Sequence, residues 1–301
     1  MHTIKRASEM IGVQMATLRA WERRYEIAVP RRSSDGHRLY DDEAVRAWGT
    51  MNSLVLEGWT PQQAAEETRR RLGAEAGQDR ATGGDPQVAG GCEELLHAAE
   101  RLDVAAVTRV VDAQFASAPP EDAIDNWLMP SLRELGLAWA SGRVTVAGEH
   151  MVAHAVVRRL WSAYEDAEPE RPGPKVIIGL PPKSRHELGL LGFAVAARRA
   201  GLDTTYVGAD LPAEDWARAV EAREPAALVL AASMNRDLTH LSRVVEVLDG
   251  ARPDLLIAVG GGLQDRTPEQ CVRLGHRVGD AAAELVRQLS AAPSATRRPS
   301  G

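Results

Sequence analysis

Cysteine is nearly absent from this chain. Its two thiols, Cys92 and Cys271, form no metal-ligand spacing and no disulfide framework, which excludes a thiolate zinc site and a disulfide-stapled secreted fold and fits a reducing compartment. Long apolar runs are missing too. No segment approaches the roughly 20 uninterrupted apolar residues of a membrane span, and the N-terminus has no apolar signal core, so the expectation is a cytoplasmic protein without a membrane partner. Nor is there an overall positive charge: a net of -6 argues against a protein that coats nucleic acid indiscriminately.

What is present is a globular chain of 301 residues, 44% hydrophobic and 26% charged, long enough for two or three domains. Charge is distributed unevenly. Residues 1–73 hold 12 basic and 10 acidic side chains against 24 and 32 in the remainder, and the first 40 residues hold 8 basic to 4 acidic. A small basic head on an acidic body suits a local contact with a polyanion.

Within that head, Thr3 to Gly12 reads as a short helix ended by glycine and Val13 to Tyr25 as a second. Two helices across a tight turn make a helix-turn-helix, whose second member enters the DNA major groove. Met10, Val13, Leu18 and Trp21 form the expected inner face, leaving Gln14, Thr17, Arg19, Arg23 and Arg24 for phosphates and base edges. Pro30 to Tyr40 reads as a basic hairpin turning at Asp35-Gly36, with Arg31, His37, Arg38 and Tyr40 as further DNA contacts. Asp41 then caps a helix to about Gly58, and Thr60-Pro61 opens another ending near Arg71. The stretches Arg19-Ala-Trp-Glu-Arg-Arg-Tyr25 and Gly36-His-Arg-Leu-Tyr40, in this order of elements, resemble the MerR-type winged helix-turn-helix regulators. The resemblance implies double-stranded promoter DNA as a partner.

Residues 73–91 contain six glycines and read as a flexible linker between a head at 1–72 and the body. From Cys92 four apolar-periodic segments follow, near 92–101, 103–117, 120–141 and 145–167. They predict a four-helix bundle over 92–170, kinked at Pro130. Its third connection reads Trp139-Ala-Ser-Gly-Arg-Val-Thr-Val146-Ala-Gly-Glu149-His150. A Trp, nine residues and a Glu-His pair resembles the helical cap of the light-responsive, adenosylcobalamin-dependent photoreceptor repressors. The resemblance implies that Trp139, Val146, Glu149 and His150 bind the cofactor.

From Lys175 onward strands and helices alternate, with strands expected at 175–180, 203–207, 226–232, 255–260 and 277–279. Helices are expected near 187–200, 213–223, 238–251 and 267–274, and a last one over 280–290. The pattern predicts a five-stranded, doubly wound, Rossmann-like parallel sheet over 174–291, followed by a disordered tail at 292–301. Ligands dock at the carboxyl ends of such strands, and neutral imidazole is a common transition-metal ligand, so His186 after the first strand is the leading candidate. Ser184, His186, Glu187 and Gly189 in the first loop, Ser233 and Asn235 in the second, and Gly260, Gly261 and Gly262 in the third resemble cobalamin-binding domains in type and order. The resemblance implies His186 as the lower cobalt ligand, with the serine and glycine loops taking the nucleotide tail.

Two positions depart from that family. Ser184 stands where an acidic residue usually orients the imidazole. Ala140 stands where a His captures the cobalt once light has broken the cobalt–carbon bond. The combined reading is a non-enzymatic transcriptional regulator, a repressor by resemblance, holding adenosylcobalamin and assembling in the dark as a dimer or tetramer. A regulator sensing another ligand or a bilin, and a cobalamin-dependent methyltransferase-like module, are the alternatives.

Overall fold

The computed structural model describes residues 1–28, 31–32, 38–56, 59–78, 86–168, 171 and 173–291, with the side chains of 31, 32, 42, 53, 56, 70–78 and 86–90 left aside. It divides into two compact units, Met1–Val111 with Pro130–Ala153, and Asp112–Met129 with His154–Gly301.

In the first unit, β1 (His2–Thr3) leads into α1 (Ile4–Ile11) and α2 (Met15–Tyr25). Thr3 caps α1 by accepting the Arg6 N–H at 3.4 Å. Gly12 ends it at φ +78, a left-handed turn that glycine adopts without a side-chain penalty. Strands β2 (Arg31–Arg32) and β3 (Arg38–Tyr40) pair antiparallel, and β3 also pairs β1. The expected Asp35-Gly36 turn lies outside the described residues. Helix α3 (Asp42–Leu56) begins after Asp41, whose carboxylate accepts the Ala44 N–H at 2.8 Å, and α4 (Pro61–Gln78) packs against it. Leu18, Trp21, Trp48, Met51 and Tyr40 form the core of this head, the two indoles lying 6.5 Å apart. Truncating a fully buried Trp such as Trp48 costs about 3–5 kcal/mol.

The linker expected over 73–91 is shorter than the glycines imply. Helix α4 runs on to Gln78 and α5 (Pro86–Glu100) already begins at Pro86, so only 79–85 separate them, and those lie outside the described residues. Helix α6 (Val104–Ser117) follows. The third segment runs without a break over 120–140, as expected, but its turns are not uniform: α7 (Pro120–Ala123) passes through a π-turn at Ile124–Leu128 into α8 (Met129–Ala140). Pro130 explains the departure, since its ring crowds the carbonyl four residues back, at Asn126, and a wider turn relieves the clash. Helix α9 (Val146–Asp166) completes the set.

The second unit holds a sheet of β4 (Lys175–Gly179), β5 (Asp203–Gly208), β6 (Ala227–Ala231), β7 (Leu256–Gly260) and β8 (Val272–Arg273), all parallel, in the order β5-β4-β6-β7-β8. Strand β6, Ala-Leu-Val-Leu-Ala, is buried at every position, as a strand covered on both faces must be. Ile177, Leu228, Leu230, Ile257 and Val259 pack on one face against α11 (Ala213–Arg223) and α12 (Asn235–Ala251). Helices α10 (Leu188–Arg199) and α13 (Val278–Ala291) pack together, and α7 packs against both. Asp125, in the π-turn, accepts the Val278 N–H at 2.8 Å and so caps α13 from another element.

The fifth strand corrects the sequence reading. Residues 277–279 are not a strand but the entry to α13, and 267–274 are not a helix. A 3-10 turn at Gln264–Arg266 leads instead into β8, which covers the open edge of β7. Gln264, 2% exposed, holds the return by donating to the Gly275 carbonyl and accepting its N–H, each at 2.9 Å. Cys271 sits beside this strand in the core, and burial pushes its thiol up to about 11.

Candidate functional site

The order β5-β4-β6-β7-β8 sets the reversal of strand order at the junction of β4 and β6. Loops leaving these two strands at their carboxyl ends diverge, and the crevice they leave is the ligand position of doubly wound sheets. After β4 come Ser184, His186 and Glu187 in the loop and Gly189 in the first turn of α10; after β6 come Ser233 in the loop and Asn235 at the start of α12; Gly260 ends β7, and Gly261 and Gly262 follow it. These nine predicted residues thus all lie at or just after the carboxyl ends of three neighbouring strands.

His186 is exposed, whereas Ser184 is 1% exposed with its hydroxyl buried and without a hydrogen-bond partner. A buried hydroxyl without a partner is costly. Glu187 accepts a hydrogen bond from the Tyr206 phenol at 3.2 Å. Burial, and then the Glu187 carboxylate beside it, push that phenol well above its ordinary range, so it remains a donor at any physiological pH. Trp161 packs edge-on against Tyr206 with centroids 5.5 Å apart.

In the β6 loop the Asp237 carboxylate accepts the Ser233 and Met234 N–H groups at 3.0 and 2.8 Å, which fixes the start of α12. Asn235 is engaged as well, accepting from Arg266 at 2.6 Å. The three glycines differ in kind. Gly261, at φ +89, lies so close to β6 that a Cβ there would stand 2.5 Å from the Ala232 carbonyl oxygen. A Cβ at Gly260 or Gly262 meets nothing within 4 Å. The first is required by the fold; the other two face open space.

In the first unit, Gln14, Arg19, Arg23 and Arg24 of α2 are exposed, and Thr17 is half-buried. The wing differs from expectation. Tyr40 is fully buried and donates to Glu22, so it supports the head instead of facing DNA, and Arg38 pairs with the same carboxylate at 3.1 Å. Glu22, which sequence reasoning passed over, is thus the tie between recognition helix and wing. His37 and the Arg31 side chain lie outside the described residues. Trp139 is half-buried at the end of α8, while Val146, Glu149 and His150 occupy the first turns of α9, His150 being exposed and 3.5 Å from Glu149. Arg143 joins the connection to α5 through Glu93, at 2.6 Å, and Glu100. Ala140 faces the head: a Cβ on Gly49 of α3 would lie 3.4 Å from its methyl and 2.7 Å from its carbonyl oxygen.

Family models match the chain along most of its length: a MerR HTH family regulatory protein at residues 2–70, and B12 binding domains at 92–160 and 174–287. The HTH-type transcriptional repressor CarH of Myxococcus xanthus is 34% identical over 92% of this chain and 94% of its own. The chain belongs to the CarH-type regulators. The HTH-type transcriptional repressor CarA of the same organism is 28% identical over 98% of this chain and 99% of its own. The monomethylamine corrinoid protein of Methanosarcina barkeri shares the fold, with a TM-score of 0.51 at 16% identity over 64% of this chain and 96% of that one.

This CarH-type chain is therefore a cobalamin-binding transcription regulator with a DNA-binding head, and not an enzyme. The β4, β6 and β7 loops fit a corrinoid. They offer an exposed imidazole, an orphaned buried hydroxyl and two glycines opening on free space. Among the described residues no group of three or more His, Cys, Asp or Glu side chains could hold a metal ion, and a corrin needs none because its ring supplies four nitrogens to cobalt. No helix among the described residues is long and apolar enough to cross a membrane.

Proposed function

We propose that this regulator is a repressor that holds adenosylcobalamin and releases its operator in the light. The observation that carries the reading is the conjunction, in one chain, of a MerR head with B12-binding matches before and across the sheet whose switch point carries His186. The proposed division is a DNA-binding head at 1–72, a cap at 92–170 and the α/β body at 174–291.

His186 would give its imidazole lone pair to cobalt as the lower ligand. Ser184, Glu187, Gly189, Ser233, Asn235 and the glycines at 260–262 would hold the tail, and Trp139, Val146, Glu149 and His150 are the further residues proposed to bind cofactor. When bound, adenosylcobalamin supplies a cobalt–carbon bond that light breaks. Ala140 has no imidazole to offer cobalt, so His150, or the exposed His154 further along α9, or solvent would have to serve where related photoreceptors use a His after the Trp. The head responds because the cofactor favours one assembly state. A hundredfold preference for the oligomer shifts assembly by about 2.7 kcal/mol.

Size exclusion and absorption spectra with adenosylcobalamin, before and after green light, test this. A co-eluting, red-shifted cofactor and a large species in the dark, becoming smaller after illumination, are expected. A free-cofactor spectrum without co-elution would leave the body to another ligand, such as a bilin. At the head, Arg19→Ala is expected to weaken operator binding and to lower the slope of log affinity against log salt by about one, leaving cofactor binding intact. Loss of both activities together would mark a folding defect and remove Arg19 from the DNA contacts.

A further inference from the structure

His186 sits on an exposed loop, yet a lower ligand must present its nitrogen at one place. Loop freedom at this point is lost on binding and weakens it. Ser184 brings no carboxylate to restrain the ring, and one oxygen of Glu187 accepts from the Tyr206 phenol. The restraint comes from the next loop along the sheet edge. One oxygen of Asp210, just after β5, accepts the Lys183 N–H at 2.6 Å, and the other accepts from Arg185 at 3.3 Å. The Asp210 N–H donates to the Ser184 carbonyl at 3.1 Å. One residue therefore bonds each of the three residues that precede His186.

Both ends of this clamp are held in an uncommon conformation. Lys183 has φ +63 and Asp210 φ +59, left-handed values that non-glycine residues adopt rarely and keep only when the surroundings fix them. Leu180 donates to the Gly208 carbonyl at 2.8 Å and Leu211 to the Leu180 carbonyl at 3.3 Å, so the two loops are laced together from their first residues. The Lys183 N–H, then the Arg185 guanidinium, hold the Asp210 carboxyl below its usual range, keeping it an acceptor with both oxygens in use.

We propose that Asp210 is the positioning residue of the cobalt ligand: it shapes residues 183–185 so that His186 is presented to cobalt, acting on the backbone that carries the imidazole and not on the ring. The proposal rests on the reading of His186 as lower ligand, and two measurements on the full-length protein separate them. The first needs no cofactor. In Asp210→Ala, amide hydrogen exchange over residues 181–188 becomes at least about tenfold faster, because the acceptor for Lys183 and Arg185 is gone. An Asp254→Ala control removes another arginine-bound carboxylate, one that precedes β7 at the amino end of that strand, and leaves that exchange unchanged.

The second measurement is electron paramagnetic resonance of cob(II)alamin bound to 15N-labelled protein. A protein nitrogen on cobalt splits each line into a doublet, whereas the cofactor's own benzimidazole nitrogen gives a triplet. Wild type and Asp254→Ala show the doublet; Asp210→Ala loses it and binds adenosylcobalamin about 10- to 100-fold more weakly. Asp210→Asn, which keeps an oxygen for the Lys183 N–H, recovers part of the doublet. Unchanged exchange in Asp210→Ala overturns the clamp. Faster exchange with an intact doublet and wild-type affinity shows that Asp210 is structural only and also overturns the proposal. A wild type without the doublet overturns the ligand role of His186 and the positioning role with it, and is recognised because exchange over 181–188 still depends on Asp210.

Discussion

Replacing His186 with alanine is expected to leave the fold intact and to lower adenosylcobalamin affinity by at least about tenfold, or 1.4 kcal/mol, with a changed cobalt spectrum. The stability half follows from exposure. The imidazole stands in solvent on a loop, and substitutions at such places usually fall within about 0.5 kcal/mol. The affinity half follows from chemistry, since alanine has no lone pair to offer and the lower coordination position would revert to the cofactor's own base or to water. Absorbance titration in the dark, with thermal unfolding of the unliganded variant, reads both. Wild-type spectrum and affinity in this variant would remove His186 as the ligand, with Glu187 next in line.

The second large effect belongs to the glycines of the β7 loop. Gly261→Ala is expected to destabilise the protein by about 3 kcal/mol, lowering Tm by roughly 6–12 °C for a unit of this size. Two costs add: a side chain at φ +89, and a methyl 2.5 Å from the Ala232 carbonyl oxygen. Relief requires moving Ala232, whose N–H bonds the Gly260 carbonyl at 3.1 Å and whose own carbonyl accepts from Leu263 at 3.0 Å, so β6 and β7 are disturbed together. Gly262→Ala is the contrast. Its methyl meets nothing within 4 Å, so Tm holds to within the effect of about 0.5 kcal/mol, while cofactor affinity is expected to fall if Gly262 lines the proposed site. Equal melting temperatures for the two variants would show that the glycines are not divided between fold and site in this way.

What the sequence made legible was local. Strands β4, β6 and β7 announce themselves as short β-branched or aliphatic runs and lie within a residue of where the pattern puts them, and with them come the three loops and their order. The head was equally readable, because caps, a glycine stop and helix-period apolar residues all act over a few positions. What escaped depends on distant partners. Residues 267–274 begin with Thr-Pro and carry no strand signature; they form β8 because β7 has an open edge and Gln264 reaches across to Gly275. Asp210 meets Lys183, Tyr206 meets Glu187 and Tyr40 meets Glu22 across 27, 19 and 18 residues, and no spacing rule joins such pairs. Glycines between helices were read as a linker, yet the helices on both sides run into them.

Cys271, buried beside β8 with its thiol raised to about 11, has a use outside regulation. Thiolate is the form that reacts with alkylating reagents, so this cysteine is doubly protected, by its environment and by its retained proton. Reagent reaches it only when the β8 edge opens, and its labelling rate is then the opening equilibrium multiplied by the reactivity of a free thiol. The protein thereby carries its own gauge of local unfolding at the side of the sheet away from β5. Applied with and without cofactor, in darkness and in light, that gauge distinguishes a signal that stays in the loops at the switch point from one that loosens the sheet as far as its last strand.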